Sequence, residues 1–106
     1  MRTIIILLVL TIVFLSSCQK DPKHELRVKN EYFITLDLKV GTVNYGLINK
    51  GITSSYNVID EGIHDLTGKN QDGTLILTGS VSISGKGEHK WTLRISESGN
   101  FYITED

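Results

Sequence analysis

Few side chains of this 106-residue chain could do chemistry, and three histidines, at positions 24, 64 and 89, come first. Two metal ligands on one strand or helix need spacings such as i, i+2 or i, i+4, and no two of the three share one. His24 lies in a polar stretch that we interpret as a tether, and His89 has the strand parity of Trp91, which predicts the rim of a core. His64 and Asp65 are neighbours, so on a strand they point to opposite faces. We therefore predict no metal site.

Acids and glycines give no catalytic pattern either. Asp60, Glu61, Asp65 and Asp72 offer the oxygen ligands that calcium prefers, but they lack a D-x-D-x-D loop. The segment Gly85-Lys86-Gly87 is too short for a phosphate loop and predicts a hairpin turn. No G-x-S-x-G motif occurs, and a domain this small has little concave volume for a substrate. We expect no catalytic residues, no cofactor and no enzymatic activity.

The single cysteine, Cys18, follows a leader typical of exported proteins. Arg2 supplies a positive charge, and eleven of the twelve residues from Ile4 to Leu15 are large and apolar. This run is shorter than the ~20 residues of a membrane span and fits a signal-peptide core. The segment Leu15-Ser16-Ser17-Cys18 resembles the lipobox of bacterial lipoproteins, which implies cleavage before Cys18 and fatty acylation, such as palmitate, at that residue. The alternative is an uncleaved anchor helix with a free thiol.

The residues after Cys18 are polar as far as Glu25 and would reach ~24 Å if fully extended. By resemblance to the lipoprotein sorting rule, Gln19 in place of Asp implies the outer membrane. Gln19-Lys20-Asp21 also partly resembles a surface-export signal of one phylum of Gram-negative bacteria. We expect a signal peptide over 1–17, the lipidated cysteine and tether over 18–25, and a domain over 26–106 at the cell surface. The alternative is a solvated tether facing the periplasm.

Charge argues against one class of partner. The chain has 11 Lys and Arg against 12 Asp and Glu, and Arg2 is the only one of these charged residues that loss of the leader would remove. The remaining chain is slightly acidic with mixed signs, without the basic footprint of a nucleic-acid binder. We expect no nucleic-acid partner, and the membrane, through Cys18, is the first partner that the sequence implies.

Hydrophobic alternation with period two predicts an all-β domain. The chain has ten glycines and no alanine, and its glycines fall mostly at the ends of the alternating runs. About seven short strands favour a small antiparallel β-sandwich, with a small β-barrel as the alternative. The runs cover residues 32–40, 43–47, 54–60, 63–67, 74–84, 88–96 and 100–104.

Two local features refine this fold. The segment 51–62, with Gly51, Thr53, Tyr56, Ile59 and Gly62 in the pattern G-x-T-x-x-Y-x-x-(V/I)-x-x-G, resembles a stretch of secreted immunoglobulin-like and transthyretin-like modules. That resemblance implies a fold and no activity. We also expect 74–84 and 88–96 to pair as a long hairpin, with a bulge or bend at Gly79. The buried face of this hairpin would carry Leu75, Leu77, Val81, Ile83, Trp91, Leu93 and Ile95.

Recognition is the function that these observations leave. A group of apolar residues lies opposite the main apolar stripes, where it either completes a two-layer core or forms a patch for a partner; it comprises Phe33, Ile48, Ile59, Ile76 and Tyr102. We expect a lipid-anchored, non-catalytic binding or assembly module with a protein or glycan ligand. One alternative is an inhibitor or immunity lipoprotein that blocks a hydrolase through the loop Ser82–Lys90. Another is a structural envelope subunit that pairs through the strand Phe101–Glu105.

Overall fold

A computed structural model describes Lys23–Asp106, and these residues form eight strands and no helix. Within this range there is accordingly no helix that could cross a membrane. The leader, Cys18 and the tether up to residue 22 lie outside the described residues. The strands are β1 (Lys23–Asn30), β2 (Leu36–Val40), β3 (Val43–Ile48), β4 (Asn57–Ile59), β5 (Gly62–Lys69), β6 (Leu75–Ile83), β7 (Glu88–Ile95) and β8 (Phe101–Glu105).

The strands form two four-stranded sheets, and the predicted small β-sandwich is confirmed. The first sheet has the order β4-β1-β7-β8 and the second sheet the order β3-β2-β5-β6. Neighbouring strands are antiparallel except for β1 and β7, which run parallel over their whole length. Both sheets are open, so the fold is a sandwich and not the alternative barrel.

Alternate residues of both sheets point inward and form one core, as the period-two pattern predicts. In β1, for example, Leu26 and Val28 are fully buried while Arg27 and Lys29 lie on the outer face. The buried apolar residues are Leu26, Val28, Leu36, Leu38, Val40, Ile48, Ile59, Leu66, Leu77, Val81, Ile83, Leu93 and Ile95.

The ordered domain begins earlier than the sequence predicts. Strand β1 starts at Lys23, three residues before the expected boundary at Leu26. His24 is only 1% exposed, so its assignment to the tether is wrong. The segment 19–25 is polar, so its sequence does not predict a strand. The ring of His24 is buried by His89 and Trp91 of β7, which are distant in sequence.

The alternation over 32–40 yields a strand only from Leu36 onward. Asn30, which is fully buried, shapes the connection before it: its amide donates to the carbonyls of Ile34 and Ile48, and its carbonyl accepts from the backbone of Tyr32. These three bonds satisfy backbone groups at a bend of the chain. Tyr32 and Ile34 still pack against the core, but from a loop.

The expected hairpin between 74–84 and 88–96 is wrong. Strand β6 pairs with β5 in the second sheet, whereas β7 pairs with β1 and β8 in the first. The segment Gly85-Lys86-Gly87 therefore carries the chain from one sheet to the other. Alternation specifies which residues face the core, and two facing sheets satisfy it as well as one hairpin does.

The inward side chains of β6 and β7 differ in two places from the expected set. Leu75 is 52% exposed, because a bulge between Gly68 and Lys69 shifts the register opposite the start of β6. Trp91 is only partly buried, although it packs against the core. The bulge is thus not at Gly79, which pairs regularly with Leu66.

Candidate ligand-binding face

The outer face of the first sheet carries a cluster of charged and aromatic side chains that could contact a ligand. Because β1, β7 and β8 are in register, these side chains form cross-strand rows. We call the row furthest from Lys23 the basic row; it contains Lys29, Arg94 and Tyr102. The next row contains Arg27, Thr92 and Thr104, and the row nearest Lys23 contains Glu25, Lys90 and Asp106.

A hydrogen-bonded network holds the middle of this face. Asp106 accepts hydrogen bonds from the Tyr56 hydroxyl at 2.6 Å and from the Thr92 hydroxyl at 2.7 Å. Arg27 donates to Thr92 at 2.9 Å, and the Arg27 guanidinium and the Lys90 ammonium each lie over the Tyr56 ring, at 4.8 and 4.9 Å. The hydrogen bond from Tyr56 lowers the pKa of Asp106, and the same bond raises the pKa of Tyr56.

The basic row borders a surface cavity of about 330 Å³ that reaches the Thr92–Asp106 network. Arg94 lies over the Tyr102 ring at 5.5 Å, and its Nε is 3.3 Å from the Glu31 carboxylate, an ion-pair distance without hydrogen-bond geometry. Lys29 forms no ion pair with any residue in the range 23–106. Tyr102 is 48% exposed. The cavity wall therefore offers an unpaired ammonium, a guanidinium and an accessible phenol ring side by side.

A second cavity, of about 390 Å³, lies at the Lys23 end of the same sheet and has a different character. Its wall has more acidic than basic side chains, and several are already paired with each other. Lys90 lies 3.8 Å from Glu25, and His89 lies 2.8 Å from Glu105. Because these groups satisfy one another, this cavity is the weaker candidate for a ligand.

Two of the three histidines meet here, which sequence spacing alone does not show. The rings of His24 and His89 stack at 5.4 Å, and Trp91 packs against both. The Trp91 indole donates to His24 Nδ1 at 3.1 Å, while the buried His24 Nε2 has no hydrogen-bond partner in the described part of the chain. His89 Nδ1 faces the Glu105 carboxylate and Nε2 faces the Lys86 carbonyl, so both ring nitrogens meet acceptors. The hydrogen bond to Glu105 is the main cause of a raised pKa at His89.

The other candidate residues stay apart. His64 lies on β5 and contacts the Asp60 carbonyl at 2.6 Å, and Glu61 accepts from the backbone of Gly85. Within the described part of the chain, no three His, Cys, Asp or Glu side chains come close enough to hold a metal ion. Cys18, the predicted lipidation site, lies outside the described residues.

The five apolar residues predicted to lie opposite the main apolar stripes either join the core or are exposed on the surface. Ile48 and Ile59 belong to the core. Phe33, Ile76 and Tyr102 are exposed to different degrees, and Tyr102 contributes to the basic row. The loop Ser82–Lys90 of the inhibitor alternative comprises the end of β6, the crossing between sheets and the start of β7.

Sequence reasoning missed Arg27 and Lys29. Arg27 and Lys29 alternate with the apolar Leu26 and Val28, and this pattern indicates that they face outward. The strand itself is hard to recognise, because the residues before Leu26 are polar. Their closeness to Arg94 depends on the parallel pairing of β1 with β7, which no local pattern indicates. No protein-family model and no curated protein matches this sequence.

Proposed function

We propose that this protein is a lipid-anchored, non-catalytic recognition module of the Gram-negative outer membrane that binds an acidic ligand at the basic row. The observation that carries the proposal is Lys29, which has no ion-pair partner within residues 23–106, beside Arg94 and the exposed Tyr102 at the edge of one cavity. An ammonium and a guanidinium bind carboxylate or sulfate groups, and a phenol ring packs against a sugar face. An acidic polysaccharide is the ligand chemistry that fits this combination.

The position of the basic row supports presentation of the ligand away from the membrane. Cys18 precedes Lys23 in the chain, and Lys29 lies six residues further along β1, which is ~20 Å at the rise of an extended strand. The basic row thus lies at the end of β1 opposite to Lys23, the residue at which the proposed tether joins the strand. Several acyl chains at Cys18 would hold the module on the bilayer almost permanently.

The anchor is tested by labelling cells with a palmitate analogue. We expect label on the wild-type chain and none on Cys18→Ser, because the thiol is the site of attachment. Equal labelling of the two chains would refute lipidation at Cys18.

The ligand site is tested by affinity electrophoresis of the purified lipoprotein through gels that contain dextran sulfate or neutral dextran. We expect retardation by dextran sulfate only, weakened about tenfold or more in Lys29→Gln/Arg94→Gln, since charge-assisted hydrogen bonds contribute ~1.5–3 kcal/mol each. The matched control is Lys39→Gln/Lys69→Gln, which removes the same charge from the outer face of the second sheet. Equal loss in both double variants would show non-specific charge attraction and contradict the site.

A further inference from the structure

Among the described strands, β6 is an open edge of the second sheet, and apart from a bulge at its start, at Leu75 and Ile76, it lacks the features that usually protect such an edge. It spans nine residues, Leu75–Ile83, and contains neither a charged residue nor a proline. Its single neighbour is β5, so its other side presents unpaired backbone donors and acceptors. A long, uncharged edge of this kind pairs readily with another strand.

The other three edge strands differ from β6. Strand β4 has only three residues, and β3 is distorted in its middle by a register shift opposite Leu38/Lys39 and by Gly46 at a φ of 73°, whereas the register shift of β6 lies at its start. Strand β8 ends in Glu105 and is followed by Asp106, so this edge carries negative charge. Short length, irregularity and charge each discourage pairing at an edge. Among the described strands, β6 is therefore the edge suited to an added strand.

We infer that β6 pairs with β6 of a second copy of this chain, antiparallel and centred on Gly79. Gly79 is the midpoint of the strand, and in this register the regular stretch Leu77–Val81 pairs with itself, while the bulged residues Leu75 and Ile76 lie outside the pairing. It places Thr78 opposite Ser80 of the second copy, and Leu77 opposite Val81. Hydroxyl pairs and apolar pairs of this kind stabilise antiparallel neighbours. The stretch Leu77–Val81 is thus palindromic in side-chain type, which favours a second copy over an unrelated strand.

The pairing also covers apolar surface that the single chain leaves open. Leu75 and Ile76 are exposed at the bulge before the paired stretch, and the centred register places this bulge next to the end of β6 of the second copy, which contains Ile83. The outer face of the paired stretch contributes Thr78 and Ser80, which are exposed and uncharged, so no like charges meet. The product is one continuous eight-stranded sheet with the two basic rows on separate first sheets.

Cysteine cross-linking of the full-length lipoprotein in cells tests this pairing. Two differently tagged chains, one with Thr78→Cys and one with Ser80→Cys, are expressed together and oxidised. We expect a mixed disulfide between the tags, because directly opposite Cβ atoms in an antiparallel pair lie ~4.5–5.5 Å apart. In the matched control, Asp65→Cys takes the place of Ser80→Cys. Asp65 lies on β5 beside Ser80, so it is one strand further from the second copy. We expect no mixed disulfide in this control.

A second variant gives an independent readout. Ser80→Lys puts a charge on the edge, so we expect it to raise the dimer dissociation constant at least about tenfold in sedimentation of the detergent-solubilised protein, with unchanged thermal unfolding. Absence of the mixed disulfide while both cysteines react with maleimide would overturn the inference. So would a wild-type protein that sediments as a monomer, or a cross-link to a different protein without one between the tags.

Discussion

At the scale of single residues, Trp91 and His24 form a polar contact inside an otherwise apolar region. The indole nitrogen of Trp91 supplies the one hydrogen bond of a His24 ring that is 1% exposed. We predict that Trp91→Phe lowers the free energy of unfolding by about 1–3 kcal/mol, since it leaves the buried imidazole without a donor. Urea unfolding followed by far-ultraviolet circular dichroism measures this.

A double-mutant cycle separates the hydrogen bond from the loss of ring volume. In a His24→Leu background, the same change at Trp91 should be less harmful by 0.5 kcal/mol or more, on the order of couplings between contacting residues. Equal destabilisation by Trp91→Phe in the two backgrounds would show that the loss in free energy of unfolding comes from the packing of Trp91 and not from its hydrogen bond to His24.

His89 gives the domain a specific pH dependence. Its pKa is raised above 6.5 by the hydrogen bond to Glu105 and by the Lys86 carbonyl. A raised folded-state pKa stabilises the fold fully below pH 6.5, and this stabilisation is lost as the pH rises through the folded-state pKa. We predict that Glu105→Gln lowers the melting temperature clearly at pH 5.5 and much less at pH 8.5.

The control for this pH effect is Glu97→Gln in the exposed turn before β8, which changes the charge equally without facing a histidine. It should shift the melting temperature little at either pH. A Glu105→Gln effect of the same size at pH 5.5 and 8.5 would contradict the assigned role of His89.

At the scale of strands, the sequence predicts strands that depend on local alternation, and it does not predict which strands pair when they are far apart in the chain. Leu36, Leu38 and Val40 alternate within five residues, and the strand they predict is present. Strand β1 was missed in part because the burial of His24 requires Trp91, 67 positions away. The parallel pairing that brings Lys29 beside Arg94 is equally remote, so the basic row could be predicted only as outward-facing residues on separate strands.

Gly79 shows how one position joins two sheets. Its backbone is regular, but a Cβ there would overlap the ring of Phe101 on β8, so the glycine makes room for contact between the two sheets. We predict that Gly79→Ala destabilises the domain by about 1–3 kcal/mol, as overpacked cores are. Chemical denaturation of Gly79→Ala in the wild-type and Phe101→Leu backgrounds tests this, because the smaller side chain should relieve most of the loss. An undiminished loss with Leu at 101 would place the strain elsewhere.

At the scale of the whole molecule, three features combine in the proposed function. The proposed lipid at Cys18 precedes β1, the sandwich holds the sheet rigid, and the basic row lies at the far end of that strand. A slightly acidic chain would repel acidic polymers in general, so binding must come from the local cluster of cations. Raised salt should therefore weaken capture, since exposed charges are screened within ~10 Å at 0.1 M.

The most direct test is capture of fluorescent dextran sulfate by intact cells that display the full-length lipoprotein. We predict that wild-type cells bind the polymer, and that cells with Lys29→Gln/Arg94→Gln do not, although an antibody stains both equally without permeabilisation. Cells with Cys18→Ser should show neither staining nor capture. Equal capture by the wild type and the double variant would contradict the basic row, and a chain protected from added proteinase until the outer membrane is opened would contradict surface display.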